Sequence, residues 1–415
     1  MLRIAPHRCP TCWLILIISL LLVGCAESTP PDEPAPLAEP TSPLQNEDED
    51  LAAANNRFGF ALLNTLQPDA DNPNLFFSPL SLAIALQMTY NGASGETAEE
   101  MARVLEINQL TLDQVNAANQ SLQSALRDAS GIELLIGNSL WVRQGAGLEQ
   151  EFLDRNQHYF EAEVAEMDFN APEAVERINN WANEQTQGLI TQILDTIPPE
   201  VILYLINAIY FKGDWEAPFD PQRTVEGPFY AADGTEIVMP MMSQEKLFPH
   251  AATEEYAVVA LPYGDGRMQM VIVLPTEGVS LDNLLAGMNL EEWQHLLDSL
   301  QEKPIRLKLP RFQAEYGKEL REVLQSMGME AAFDGGRADF SGMGASGLFI
   351  SRVFHKAIVK VNEEGTEAAA VTVVEMPSSV PPSFIVNRPF LFAIHDSQTD
   401  AILFLGAIYQ PEPLD

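Results

Sequence analysis

Apolar positions recur at helical spacing through the first part of the chain and at strand spacing through the rest, and both patterns begin near Leu51. Phe58, Ala61, Leu62 and Leu66 share one helical face, and Pro68 ends that helix. Leu75-Phe76-Phe77 reads as a short buried strand. Ser78-Pro79 then opens a second helix, with Pro79 in the first turn, where a missing N–H costs nothing. Residues 91–95 break it. The spacing predicts further helices over 96–105, 112–126, 150–160 and 175–187, and a strand over 132–142. Residues 201–211 are almost wholly apolar, as in a strand buried on both faces. Strands follow over 236–241, 256–262 and 268–274, one or two helices over 281–300, a strand over 305–312 and a helix over 318–327. A strand over 349–361 and a closing hairpin over 390–408 complete the pattern. Helices cluster early and strands late, which predicts one large α+β domain over 51–415.

One stretch fits this order less easily. Across 365–382, Thr366, Ala368, Ala370, Thr372 and Val374 would share one strand face, and none is charged. Glu367, Ala369, Val371, Val373 and Glu375 would share the other, with both carboxylates. Pro377, Pro381 and Pro382 deny ladder donors to the second half, which reads as an exposed loop. The pattern alone allows an ordinary strand of an antiparallel sheet, or a strand waiting to enter one.

The N-terminus departs from the globular pattern. Arg3, His7 and Arg8 precede an apolar run too short to span a bilayer, and residues 1–24 read as a signal peptide. Leu22-Val23-Gly24-Cys25 resembles a bacterial lipoprotein lipobox, whose cysteine becomes the acylated first residue; an ordinary secretory signal or an N-terminal anchor is the other reading. The lipobox implies an exported chain, lipid-anchored at Cys25 in a bacterial cell envelope. Cys9 and Cys12 would leave with the signal, so the mature chain would hold no disulfide. Residues 25–50 carry six prolines and end in Glu47-Asp48-Glu49-Asp50, a composition that predicts a disordered tether.

Composition narrows the function classes. A net charge of −36 argues against a nucleic-acid surface. No HExxH, Walker A, GxSxG or zinc-type Cys/His pattern occurs, so no metal, cofactor or catalytic constellation is expected. His158, His250, His295, His355 and His395 are scattered singly and read as structural. Residues 342–347 fit GxGxxG by letter but neither follow a clear strand nor open a helix, so they read as a loop.

Five blocks, in order, resemble the serpin family. Phe77-Ser78-Pro79-Leu80-Ser81 is similar to the start of its second helix, and Asn207-Ala208-Ile209-Tyr210-Phe211-Lys212-Gly213-Asp214-Trp215 to its NAIYFKGxW strand and turn. His355-Lys356-Ala357, with the run from Val361 to Ala369, resembles its hinge. Asn387-Arg388-Pro389-Phe390-Leu391-Phe392 and Ile402-Leu403-Phe404-Leu405-Gly406 resemble its closing strands. The resemblance implies three β-sheets, about nine helices and an exposed reactive-centre loop near 364–383. It implies a suicide inhibitor, not an enzyme: a serine protease cleaves the loop, is held as an acyl-enzyme and is dragged away as the loop enters the sheet. Cysteine proteases are a further target class, and a monomer is implied. Gly365, Thr366, Glu367, Ala368, Ala369 and Ala370 match the hinge. Ser78, Ser81, Asn207 and His355 match the shutter and Trp215 the breach, although buried polar residues must be paired in any core.

The scissile bond has two readings. The proline-flanked run around Pro377 resembles elastase inhibitors and gives Ser378-Ser379; spacing counted from Gly365 gives Ser379-Val380. Ser378 as P1 keeps proline off the bond, and its small side chain suits elastase-like or subtilisin-like proteases. A non-inhibitory serpin acting as a binding or carrier protein is the alternative. Such members often carry charge or proline at insertion-facing positions, which this chain lacks.

Overall fold

The computed structural model describes residues 46–68, 72–344, 347–365 and 381–414. Cys25, Thr366, Glu367, Ala368, Ala369, Ala370, Ser378 and Ser379 lie outside the described residues. Helix α1 (Asn46–Thr65) begins four residues before the expected end of the tether. Its acidic first turn suits the positive end of the helix dipole. Asp48 is buried and accepts a hydrogen bond from Ser121 Oγ at 2.9 Å, so part of the acid run is anchored structure.

Strand β1 (Leu75–Phe77) and helix α2 (Pro79–Tyr90) follow as expected. Then come α3 (Gly95–Val104), α4 (Leu112–Arg127), β2 (Ile132–Arg143), α5 (Gln150–Phe160), β3 (Glu163–Met167), α6 (Ala174–Gln185) and β4 (Leu203–Gly213). The strand-rich half comprises β5 (Val225–Tyr230), β6 (Glu236–Ala252), β7 (Tyr256–Pro262) and β8 (Met268–Pro275). After it come α7 (Leu281–Gly287), α8 (Leu290–Asp298), β9 (Gln301–Pro310), β10 (Phe312–Glu319), α9 (Arg321–Ser326) and β11 (Arg352–Val361). Strands β12 (Ser383–Ile385), β13 (Phe390–Asp396), β14 (Ile402–Ile408) and β15 (Glu412–Pro413) end the chain. Among the described residues there are thus nine α-helices, and none is long and apolar enough to cross a membrane.

Hydrogen bonding joins the strands into a six-stranded sheet, β15-β10-β11-β4-β2-β3, and a nine-stranded network. The network runs β1-β14-β13-β8-β7-β6-β9-β12, with β5 also on β6. The long strand β6 couples two of the three expected sheets: it pairs with β5 and β9 over most of its length and with β7 only at His250–Ala252.

Several boundaries move. Lys318 and Glu319 lie in β10, not in a helix, and α9 is only six residues long. Phe312, Ala314 and Tyr316 alternate inward along β10, pairing it with β11 over eight positions. The strand expected from 349 starts at Arg352.

Helix α2 fixes the position of the site. Eleven of its twelve residues are buried, so it has no polar face. It packs between β2 and β4 of one sheet and β14 of the other. Strand β4 is buried on both faces, as its composition implied. Leu203, Leu205, Ile209 and Phe211 join the main core, while Tyr204 and Ile206 join a smaller core with Trp141 and Ile178.

Candidate functional site: a polar gate and a pinned hinge

Three neighbouring strands place a polar residue at the same level. Asn138 on β2 is directly opposite Asn207 on β4, which is directly opposite His355 on β11. All three are buried, with the N-terminus of α2 beside them. Ser78 caps that helix, accepting from the Ser81 N–H at 3.1 Å. Ser78 N–H donates to His355 Nε2 at 3.1 Å, so Nε2 is the acceptor of a neutral ring. The opposite nitrogen, Nδ1, then carries the proton and donates to Asn207 Oδ1 at 2.7 Å. Asn207 Nδ2 reaches Asn138 Oδ1 at 2.8 Å and also meets Ser81 Oγ. The sequence-predicted Ser78, Ser81, Asn207 and His355 therefore form one cluster.

The His355–Asn207 bond crosses the seam between β11 and β4. That pairing is parallel and covers six residues, Arg352–Ala357 against Tyr204–Ile209. Beyond it, Ile358–Val361 stay in register with β10 and the end of β4 with β2, but not with each other. The seam is closed around the polar cluster and open at its far end, about 20 Å along β4 from Asn207.

Gly365 sits at that open end. Its φ is +127°, a conformation that favours glycine. A Cβ there would lie 2.4 Å from Gly213 O, 2.5 Å from Trp215 N and 2.7 Å from Asp214 Cα, all backbone atoms. The preceding residues are pinned. Trp215 N–H donates to Glu364 O at 3.0 Å and Phe219 N–H to Glu363 O at 2.7 Å. The Glu363 carboxylate accepts from Thr224 Oγ1 at 2.6 Å and pairs with Arg311 at 3.7 Å. Trp215 donates from its indole to Asn362 O at 2.9 Å and stacks on Tyr263 at 4.3 Å. Trp215 and Gly365 are thus together, but apart from the polar cluster.

Sequence reasoning missed Asn138, Glu363, Arg311, Thr224 and Tyr263. For Asn138 a signal existed, a lone amide within an apolar strand. Contacts such as Arg311 with Glu363 depend on chain separations that no local pattern encodes.

Burial drives the His355 pKa down to about 3. An unfolded histidine takes up its proton near pH 6.5. Stability supplied by the neutral ring is therefore complete above pH 6.5 and is lost progressively as pH falls towards about 3, at about 1.4 kcal/mol per pH unit. Between pH 7.5 and pH 5, urea unfolding should lose about 2 kcal/mol more in the natural chain than in His355→Gln. Equal pH dependence in both would contradict the assignment. Gly365→Ala should lower the urea midpoint by the equivalent of about 1–3 kcal/mol, because both φ and space resist a side chain. An unchanged midpoint would show that the hinge relaxes freely.

A family model, "Serpin (serine protease inhibitor)", matches residues 53–411. Serpin B6 of Pongo abelii is 37% identical over 379 residues, covering 87% of this chain and 99% of its own. Leukocyte elastase inhibitor of Bos taurus is 37% identical over 381 residues, covering 88% of this chain and all of its own. Among solved structures, the thermophilic serpin tengpin in its native state superposes with a TM-score of 0.82 at 30% identity, over 90% of this chain and 96% of that one. Human thyroxine-binding globulin does so with a TM-score of 0.82 at 30% identity, over 88% of this chain and 100% of that one. On this fold, these matches and the sequence blocks that sit at the gate and hinge, the chain belongs to the serpin family.

Proposed function

We propose that the chain is a suicide-substrate inhibitor of serine endopeptidases, with the loop near 364–383 as bait. The observation that carries this reading is the seam between β4 and β11. It is a short parallel pairing, open at the end where Gly365 delivers the chain. Parallel pairing is slightly less stable than antiparallel, and a strand running back from Gly365 would be antiparallel to both neighbours. Its entry replaces one weak ladder by two. Entry also requires β4 and β11 to part, which breaks the His355–Asn207 bond. The polar cluster would then hold the sheet closed until a cleaved loop displaces it, making the waiting state kinetically stable.

Thr366, Ala368, Ala370 and Thr372 supply the uncharged face such a strand needs. About 13 inserted residues at about 3.3 Å each would carry the bait end about 43 Å. A bound protease would travel with it as an acyl-enzyme. Ser378 as P1 fits elastase-like or subtilisin-like targets, and the likeness to a leukocyte elastase inhibitor supports that class. Cys25 would tether a monomeric inhibitor to a bacterial envelope membrane. Cysteine proteases are a second target class. A binding or carrier role is favoured by one observation only, the equal structural likeness to thyroxine-binding globulin.

Incubation with pancreatic elastase and with subtilisin, followed by a denaturing gel, tests the proposal. A stable band of summed mass is expected, and mass spectrometry of the released peptide should place cleavage after Ser378. Loop cleavage without an adduct for every protease tried would favour the binding or carrier role.

A further inference from the structure

Helix α6 packs on β2 and β4, away from the gate and hinge, and leaves a groove of about 400 Å³ along its flank. Two tryptophans line the groove. Trp141 is buried, and Trp181 meets it edge-on at 6.3 Å and 80° while remaining half-buried. One cation already uses this surface: the Arg177 guanidinium lies 5.3 Å from the centroid of the Trp141 ring. Glu163 is 3.5 Å from it. Glu173, Glu176 and Glu184 also line the groove, so four carboxylates surround a single guanidinium.

The spacing along α6 is specific. Glu176 and Glu184 are eight residues apart, about 12 Å along the axis, and Glu173 extends the span to about 16 Å. Trp181 lies between Glu176 and Glu184 in sequence. A lone metal ion would meet neither end well and would gain little from an indole. A linear chain with ammonium groups at intervals and methylenes between them matches both the charges and the aromatic surface.

The geometry points to a binding site for linear aliphatic polyamines, with methylenes laid on Trp181 and ammonium groups at Glu184 and at Glu173 or Glu176. This site is separate from the protease-trapping machinery, and an occupant would fasten α6 to the β2–β3 edge.

Isothermal titration of the purified full chain with spermidine at physiological ionic strength is the test, with butylamine and Mg²⁺ as comparison ligands. Saturable single-site binding by spermidine is expected, at least about tenfold tighter than either comparison ligand. The double variant Glu176→Gln/Glu184→Gln, at exposed positions, should weaken it by about tenfold or more with an unchanged circular dichroism spectrum. Trp181→Phe should weaken it less. Spermidine binding no tighter than Mg²⁺ would reduce the effect to the counterion cloud of an acidic protein and overturn the site. Unchanged binding in the double variant would overturn it equally.

Discussion

Cleavage of the loop near 364–383 by a protease that escapes trapping should raise the unfolding temperature by about 20 °C. The inserted strand would add ladder bonds on two sides over about 13 residues, at about 1 kcal/mol net each, while losing the short parallel seam. The gain is then about 10 kcal/mol or more. At about 2 °C per kcal/mol for a large domain, the midpoint moves by about 20 °C. Calorimetry of intact and cleaved protein reads this directly. A cleaved form that melts with the intact one would mean that the loop stays outside the sheet, as expected of a binding or carrier protein.

The second large effect concerns Thr366, the first residue beyond the pinned Gly365 and a member of the uncharged set. Thr366→Arg would carry a charge to the buried face as the strand enters, at a cost of several kcal/mol. A barrier higher by about 3 kcal/mol slows insertion by about 100-fold. Hydrolysis of the acyl-enzyme then outruns trapping. Inhibitor consumed per protease inactivated should rise at least about tenfold, with the loop cleaved as an ordinary substrate. Thr366→Val, uncharged and similar in size, should remain an inhibitor. Full inhibition by the arginine variant would show that the other face of 366–374 enters the sheet.

Much of the scaffold was legible because its signals are local. Ser78-Pro79 announces a capped helix start, and the apolar run in β4 announces a strand covered on both faces. Edge strands were less legible. Strand β3 offers Glu163 and Glu166 among five residues, and β5 contains Gly227 and Pro228, which read as loop chemistry. Strand β10 was lost because Gly317 looked like a break, whereas its backbone pairs there with Lys356. Asp48 looked like tether composition, yet a serine on α4 binds it.

The site divides in the same way. Family blocks located Ser78, Ser81, Asn207, His355, Trp215 and Gly365, all brought to the gate or the hinge. Asn138 becomes visible as a partner only once β2 is in register with β4. The clamp on Glu363 depends on Thr224 and Arg311, which are 139 and 52 residues away. The neutral state of His355 is a consequence of complete burial, which composition does not reveal.

Hydrogen–deuterium exchange at Ile358–Val361, measured on intact and loop-cleaved protein, tests most directly whether the loop enters between β4 and β11. These residues pair with β10 on one side and face the open end of the seam on the other. Insertion predicts strong new protection there after cleavage, with little change in β13 and β14. Identical exchange before and after cleavage would contradict insertion at this seam.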